Sequence, residues 1–217
     1  MICMTHAFAK WFLALGFVTL AVLCCYFWLD RPIALWVYAF QTEHQSRDLL
    51  DPLTRFPNPL IFAAAAAYFV LGLAALGKRI IGTWRVGVLC CVSVVMGEVI
   101  KAGLKWIFGR PWPETWKDNN PSFIRDGAYE FHWFHGGGVY DSFPSGHMTV
   151  MLALVSVLWI AYPRWRPLYA VAVLLAAVSL VGSNYHFLGD VIAGSFLGLT
   201  VGVMTVALFG TEGWFRA

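Results

Sequence analysis

Charge is what this sequence has least of. Of its 217 residues 12% are charged, against roughly 25% in ordinary soluble domains. A chain so poor in charge cannot cover a water-soluble globule with polar groups, which excludes a soluble enzyme, a disordered chain and a nucleic-acid binder. Cysteine is scarce as well. Cys3 is near the start and Cys24, Cys25, Cys90 and Cys91 fall inside apolar runs, so none is placed where an oxidising compartment could cross-link it. Repeats and low-complexity stretches are also missing, the alanine run from Ala63 to Ala67 excepted.

Hydrophobicity is abundant: 59% of residues, with a mean hydropathy of +0.67. It is gathered into six blocks, each near the roughly 20 residues that cross a hydrocarbon layer as helix. They run from Trp11 to Leu29, Leu60 to Gly77, Val86 to Leu104, Phe143 to Tyr162, Leu168 to Ser183 and Phe187 to Gly210. Backbone polar groups in lipid must be satisfied within each segment. The expected fold is therefore all-α: one polytopic membrane domain over residues 1–217, with six transmembrane helices. The first block is longer than a signal-peptide core and has no small-residue cleavage pattern, so it reads as a retained helix.

Six spans put both termini on one side. If that side is cytoplasmic, it holds Lys10, Lys78, Arg79, Arg85, Arg164, Arg166 and Arg216 against a single acid, Glu212, as the positive-inside rule requires. Two outer loops follow, about 30–59 and 105–142. The first contains Ile33 to Tyr38, an apolar stretch that could lie along the membrane surface. The second is polar and rich in Gly, Pro, Trp and His, and a loop of that length is usually functional or disordered.

Ionisable residues at membrane level are costly, and their default reading is functional. Here they gather at one level. Lys101, Lys105 and Arg110 mark the outer end of the third block, Ser145 and His147 the start of the fourth, and His186 and Asp190 the junction of the fifth and sixth. Phe143-Pro144-Ser145-Gly146-His147 opens a helix, whose free N–H groups and dipole favour an anion. Gly146 permits close approach, Ser145 offers a hydroxyl, and Lys105 and Arg110 add positive charge suited to phosphate. His186 and Asp190 are four apart, so a carboxylate can hold one imidazole nitrogen while the other is free to attack. With two histidines, one can be nucleophile and the other can protonate the leaving group.

Bland readings compete for several of these residues. Ser145 could be an ordinary helix cap, Glu98 and Lys101 a simple ion pair, and Trp106, Trp112, Trp116 and Trp133 an interfacial belt or the wall of a lipid site. Gly194, Gly198 and Gly202, every fourth residue, fit close helix packing. Glu130, His132 and His135 lack a ligand pattern for a metal. A serine protease pairing Ser145 with His186 would leave His147, Asp190 and the basic cluster without roles.

Lys105 to Pro111, Pro144-Ser145-Gly146-His147 and His186-Phe187-Leu188-Gly189-Asp190 together resemble the three signature motifs of the type 2 phosphatidic acid phosphatase family. The resemblance implies a metal-independent lipid phosphatase without a cofactor. His186 would be the nucleophile that forms a phosphohistidine, Asp190 its orienting partner and His147 the general acid, with Lys105, Ser145 and the Gly146 amide binding phosphate. It also implies a lipid phosphate as partner, with undecaprenyl pyrophosphate, phosphatidylglycerophosphate, phosphatidic acid and lipid A as candidates; the topology read from the basic residues puts the site on the outer, periplasmic face of a bacterial-type inner membrane. Two family arginines are replaced, by Trp112 in the first motif and Leu180 in the third. Arg110, two residues before Trp112, is the expected substitute, ahead of Lys101, Arg125 and Asn184. Phosphotransfer to another lipid, and an impaired binder or transporter, are the alternatives.

Overall fold

Residues 2–44, 85–116 and 119–210 are described by the computed structural model. Among them the protein is all helical, without strands. Helix α1 (Ile2–Cys24) passes through a π-helical stretch (Cys25–Leu29) into α2 (Asp30–His44). It is followed by α3 (Arg85–Phe108), the short α4 (Phe123–Asp126), α5 (Gly146–Ala161), α6 (Arg166–Gly182) and α7 (Leu188–Phe209).

Among the described residues, four helical stretches are long and apolar enough to span a membrane: Ala9–Glu43, Arg85–Phe108, Pro163–Gly182 and Leu188–Phe209. The fourth expected block forms α5, whose 16 residues reach about 24 Å, short of a roughly 30 Å hydrocarbon core. The second block, Leu60 to Gly77, lies outside the described residues, as do Lys78, Arg79, Glu212 and Arg216.

The first expected outer loop, about 30–59, is corrected over residues 30–44, and residues 45–59 lie outside the described residues. Residues 30–44 continue the first helix, and Ala34 and Val37 face protein rather than lie along a membrane surface. The physical reason is Pro32. It lacks the N–H that would bond the Trp28 carbonyl and its ring crowds that group; the widened turn just before it accommodates the mismatch. Phe27, Trp28 and Leu29 point outward there, while Asp30 is 1% exposed.

Inside the bundle α5 is central. Its pairing with α7 is the most extensive, α3 packs on both, and α1 lies on α7. The α3 face that does this is a single stripe, Leu89, Cys90, Ser93, Val94 and Gly97, at three- and four-residue spacing. Ser93 donates to the Ala153 carbonyl at 2.8 Å, joining α3 to α5.

The α5–α7 contact is made by the glycine stripe. A Cβ at Gly194 would stand 2.3 Å from the Ser145 carbonyl oxygen, and one at Gly198 would stand 2.3 Å from that of Thr149. One at Gly202 would meet the Ser156 Cβ at 2.5 Å. Because these neighbours are mainly backbone, the helices cannot yield without moving apart.

Gly198→Leu should therefore separate α5 from α7 and lower stability in detergent by about 1–3 kcal/mol, read as a fall in Tm. Gly103, with open space around it, supplies the control: Gly103→Ala should leave Tm unchanged within error.

Candidate functional site

The expected residues meet at one end of the bundle, where α3 finishes and α5 and α7 begin. The second loop is narrower than expected, since α3 runs on through Lys105 to Phe108. Gly109 turns the chain with φ of 52°, and the returning segment caps the open end of α3. Gly136 N–H donates to the Trp106 carbonyl at 3.0 Å, Phe134 N–H to that of Ile107 at 2.7 Å, and His132 N–H to that of Gly109 at 2.8 Å. Orphan carbonyls of a helix end are thus satisfied, and the returning segment brings aromatic residues over the end of α3. Phe108, Phe131 and Phe143 pack edge to face there.

Asp190 organises the centre. Its Oδ2 accepts from the Ser142 hydroxyl at 2.6 Å and from the Phe187 N–H at 3.1 Å. Its Oδ1 accepts from Arg110 Nη1 at 2.6 Å, and its backbone carbonyl accepts from Ser145 N–H at 3.0 Å. His186 Nδ1 stands 3.6 Å from Oδ2, beyond hydrogen-bond length, and Ser142 Oγ bridges the gap at 3.3 Å from the ring nitrogen. Nδ1 is therefore turned into the protein, and Nε2 is the nitrogen left for chemistry. Burial pushes the His186 imidazole below its ordinary range against the opposing pull of Asp190, so at neutral pH the ring is uncharged.

His147 stands across from it, the two rings 6.0 Å apart, with Tyr185 packed against both. Ser145 is the N-cap of α5: its hydroxyl accepts from Met148 N–H at 3.5 Å, leaving the first amides of that helix, those of Gly146 and His147, at the open end. Lys105 donates to the Asp141 carbonyl, which fixes its ammonium group beside the same helix start. Trp116 packs at a tilt on Tyr185, ring centroids 5.1 Å apart, and donates to the Asn184 carbonyl, which makes it a wall of the site. Trp106 and Trp133 are exposed, as belt residues would be.

Arg110 is not where a phosphate could reach it. The side chain is fully buried, with Nη2 2.8 Å from Asp30 Oδ2 and Nη1 on Asp190. The rings of Phe187, Tyr129, Phe131 and Tyr26 surround the guanidinium at 4.2, 5.0, 5.2 and 5.4 Å. Burial works against its charge, but Asp190 and Asp30 together outweigh burial, so it holds its proton more firmly than an ordinary arginine. The expectation that it substitutes as a phosphate ligand is replaced by this ionic role. Asp30 also accepts from Gly189 N–H at 3.0 Å.

Of the other proposed substitutes, Arg125 pairs with Asp126 and Asn119 on the surface, and Asn184 donates to the Ala34 carbonyl. Lys101 pairs with Glu98 at 2.6 Å. Trp112 and Leu180 are 7% and 1% exposed. Leu180 belongs to the apolar cluster of Met148, Met151, Val155, Ala176 and Val191.

Two participants were missed from sequence, Asp30 and Ser142. Asp30 had a readable signal, a carboxylate at the end of a 19-residue uncharged run. Ser142 had none. Glu130, His132 and His135 do not converge: His132 packs at a tilt against Tyr140 with ring centroids 4.3 Å apart, and His135 contacts the Trp133 carbonyl.

Residues 86–214, more than half of the chain, match the PAP2 superfamily. A lipid A 1-phosphatase of Rhizobium johnstonii is 27% identical over 154 residues, covering 71% of this chain and 60% of that protein. One of Rhizobium etli is 26% identical over 154 residues, covering 71% of this chain and 63% of that protein. The chain thus spans somewhat less than two thirds of the length of these relatives. No solved structure matches.

Arg110→Met should be strongly destabilising, by about 3–5 kcal/mol, because it leaves two buried carboxylates without a cation. Arg110→Lys should recover only part of that loss, since one ammonium group cannot bridge both carboxylates as the planar guanidinium does. Thermal unfolding in detergent measures both.

Proposed function

Since this chain belongs to the PAP2 superfamily, we propose that it is a metal-independent phosphatase of a membrane lipid phosphate, working through a phosphohistidine. The observation that carries this reading is His186: a buried, uncharged imidazole with one nitrogen turned to Ser142 and Asp190 and a second histidine facing it. A general base or nucleophile poised in this way is what phosphoryl transfer to nitrogen needs.

In the first step the Nε2 lone pair of His186 attacks phosphorus and the bond to the lipid oxygen breaks, with His147, which enters the step as imidazolium beside the phosphoryl dianion, giving that oxygen its proton. In the second, His147 takes a proton from water, the hydroxide displaces the phosphorus from Nε2, and inorganic phosphate leaves. Asp190 and Ser142 hold the ring and stabilise the positive charge that it acquires. Lys105, the Ser145 hydroxyl and the Gly146 amide hold the phosphoryl oxygens, where fixed dipoles aimed at developing charge are most effective.

Lipid is favoured as substrate by the site's position at the ends of helices apolar enough to span a bilayer. Among lipid phosphates, the two relatives named for the 1-phosphate of lipid A favour that class. A periplasmic site in the inner membrane is favoured by charge placement: Arg85, Arg164 and Arg166 lie at the helix ends opposite the site, as positive-inside orientation would have them. The apolar burial of Trp112 and Leu180 favours the second reading, a binder or carrier of lipid phosphate without turnover.

Purified protein should release inorganic phosphate from lipid A with EDTA present, and His186→Ala should abolish that release. Tight binding of lipid A with no release would sink the phosphatase in favour of the binder. His147→Ala should lose least with substrates whose leaving groups need no proton; equal loss across leaving groups would remove its acid role. Because His186 is held neutral below the ordinary imidazole value of 6.5, the acid limb of kcat/KM that reports it should fall below pH 6.5. A limb at or above 6.5 would mean that Asp190 outweighs burial.

A further inference from the structure

The site as described is short of positive charge. Both arginine positions of the family motifs are apolar and buried, Arg110 is held by two carboxylates, and Lys105 is the one cation so far assigned to the phosphoryl group. A second lysine stands in the right place. The stripe by which α3 faces the bundle, through Val94 and Gly97, continues at Lys101 and Lys105, so both lysines project toward α5 rather than lipid. Lys101 is only 14% exposed along its side chain, and it lies directly on Gly146. A Cβ on that glycine would stand 3.0 Å from Lys101 Cδ and 3.2 Å from Nζ. The ammonium group is therefore at the open N-terminus of α5, where the helix amides point, and both Lys101 and Lys105 are electrostatic neighbours of His147.

Its partner explains why it looked like a structural pair. Glu98 Oε2 accepts from Nζ at 2.6 Å, while Oε1 is buried without a hydrogen-bond partner. A carboxylate one turn deeper in α3, half satisfied and behind the ammonium group, orients and neutralises it while no anion is present.

We infer that Lys101, oriented by Glu98, binds the phosphoryl group of the substrate and supplies the charge missing at Trp112 and Leu180. This rests on the phosphatase reading above and deepens it. Gly146 is then required for room as well as for its amide, because any side chain there would displace the lysine.

The test uses inorganic phosphate as the probe, with affinity read from the phosphate-dependent rise in Tm of the detergent-solubilised full chain, so no turnover is needed. Lys101→Met should weaken phosphate binding by roughly tenfold to a hundredfold, as expected for one charge-assisted contact, and Lys101→Arg should restore most of it. Glu98→Gln should bind phosphate at least as tightly as the unmodified protein, since the lysine loses its competing carboxylate.

The deciding variant carries both Glu98→Gln and Lys101→Met, which leaves no unpaired charge in the bundle and so guards against simple misfolding. If Lys101 is a ligand, the double variant stays as weak as Lys101→Met. Recovery of phosphate binding in the double variant would show that the pair is only structural and would overturn the assignment, as would unchanged affinity in Lys101→Met. Failure of the underlying reading looks different: the unmodified protein would bind phosphate yet release none from lipid A.

Discussion

A guanidinium sealed between two carboxylates holds this molecule's site together. Arg110 joins Asp30, on the first long helix, to Asp190, in the first turn of the last one, at 2.8 and 2.6 Å. Removing three charges from water is costly, and such an arrangement persists only when geometry and additional hydrogen bonds compensate for the lost hydration. Here they do. Asp190 has Ser142 and the Phe187 amide, Asp30 has the Gly189 amide, and four aromatic rings surround the guanidinium. The consequence for chemistry is positional. Asp190 can neither rotate nor move away from His186, because each of its oxygens already has a defined donor.

The glycine stripe completes this constraint in the other direction. Since Gly194 lets the Ser145 carbonyl approach the backbone of α7, and Ser145 N–H bonds the Asp190 carbonyl, the start of α5 is fixed to the same turn that carries Asp190. His186, Asp190 and the N-terminus of α5 thus share one rigid frame. Chemistry that depends on placement to within fractions of an ångström needs such a frame.

Much of this was legible in the sequence. Apolar blocks marked α1, α3, α6 and α7 because lipid leaves a helix few alternatives, and the three polar clusters converged because each sat at the end of such a block. The stripe of Gly194, Gly198 and Gly202 was readable as packing for the same reason. What was not legible depended on contacts between distant segments. Asp30 was assigned to a loop because a charge ends an apolar run on paper, whereas in the fold a buried arginine 80 residues away receives it. Arg110 was assigned to phosphate because a lone arginine near a phosphate motif has that as its simplest use, and spacing cannot show that two carboxylates already surround it. Ser142 and the approach of Lys101 to Gly146 are pairings that no local pattern encodes.

The charge balance of the site follows from these contacts. Arg110 with Asp30 and Asp190 carries one formal negative charge, Glu98 with Lys101 carries none, and Lys105 with its charged neighbour Asp141 carries none, so the ionic groups around the site sum to no net positive charge. A phosphoryl dianion therefore gains little from net attraction at a distance. On the proposed reading it gains from local order, namely the amides at the start of α5, the Ser145 hydroxyl and two lysines on adjacent turns of α3, all acting where burial reduces screening. Selectivity in such a site comes from how well an anion fits those donors, and the access of the anion is set by the bilayer rather than by a long-range field. On the proposed reading, phosphoryl chemistry without the two guanidinium contacts proceeds on these terms, with the substrate delivered by diffusion within the membrane and its phosphoryl group small enough to reach the amide of Gly146 past Lys101.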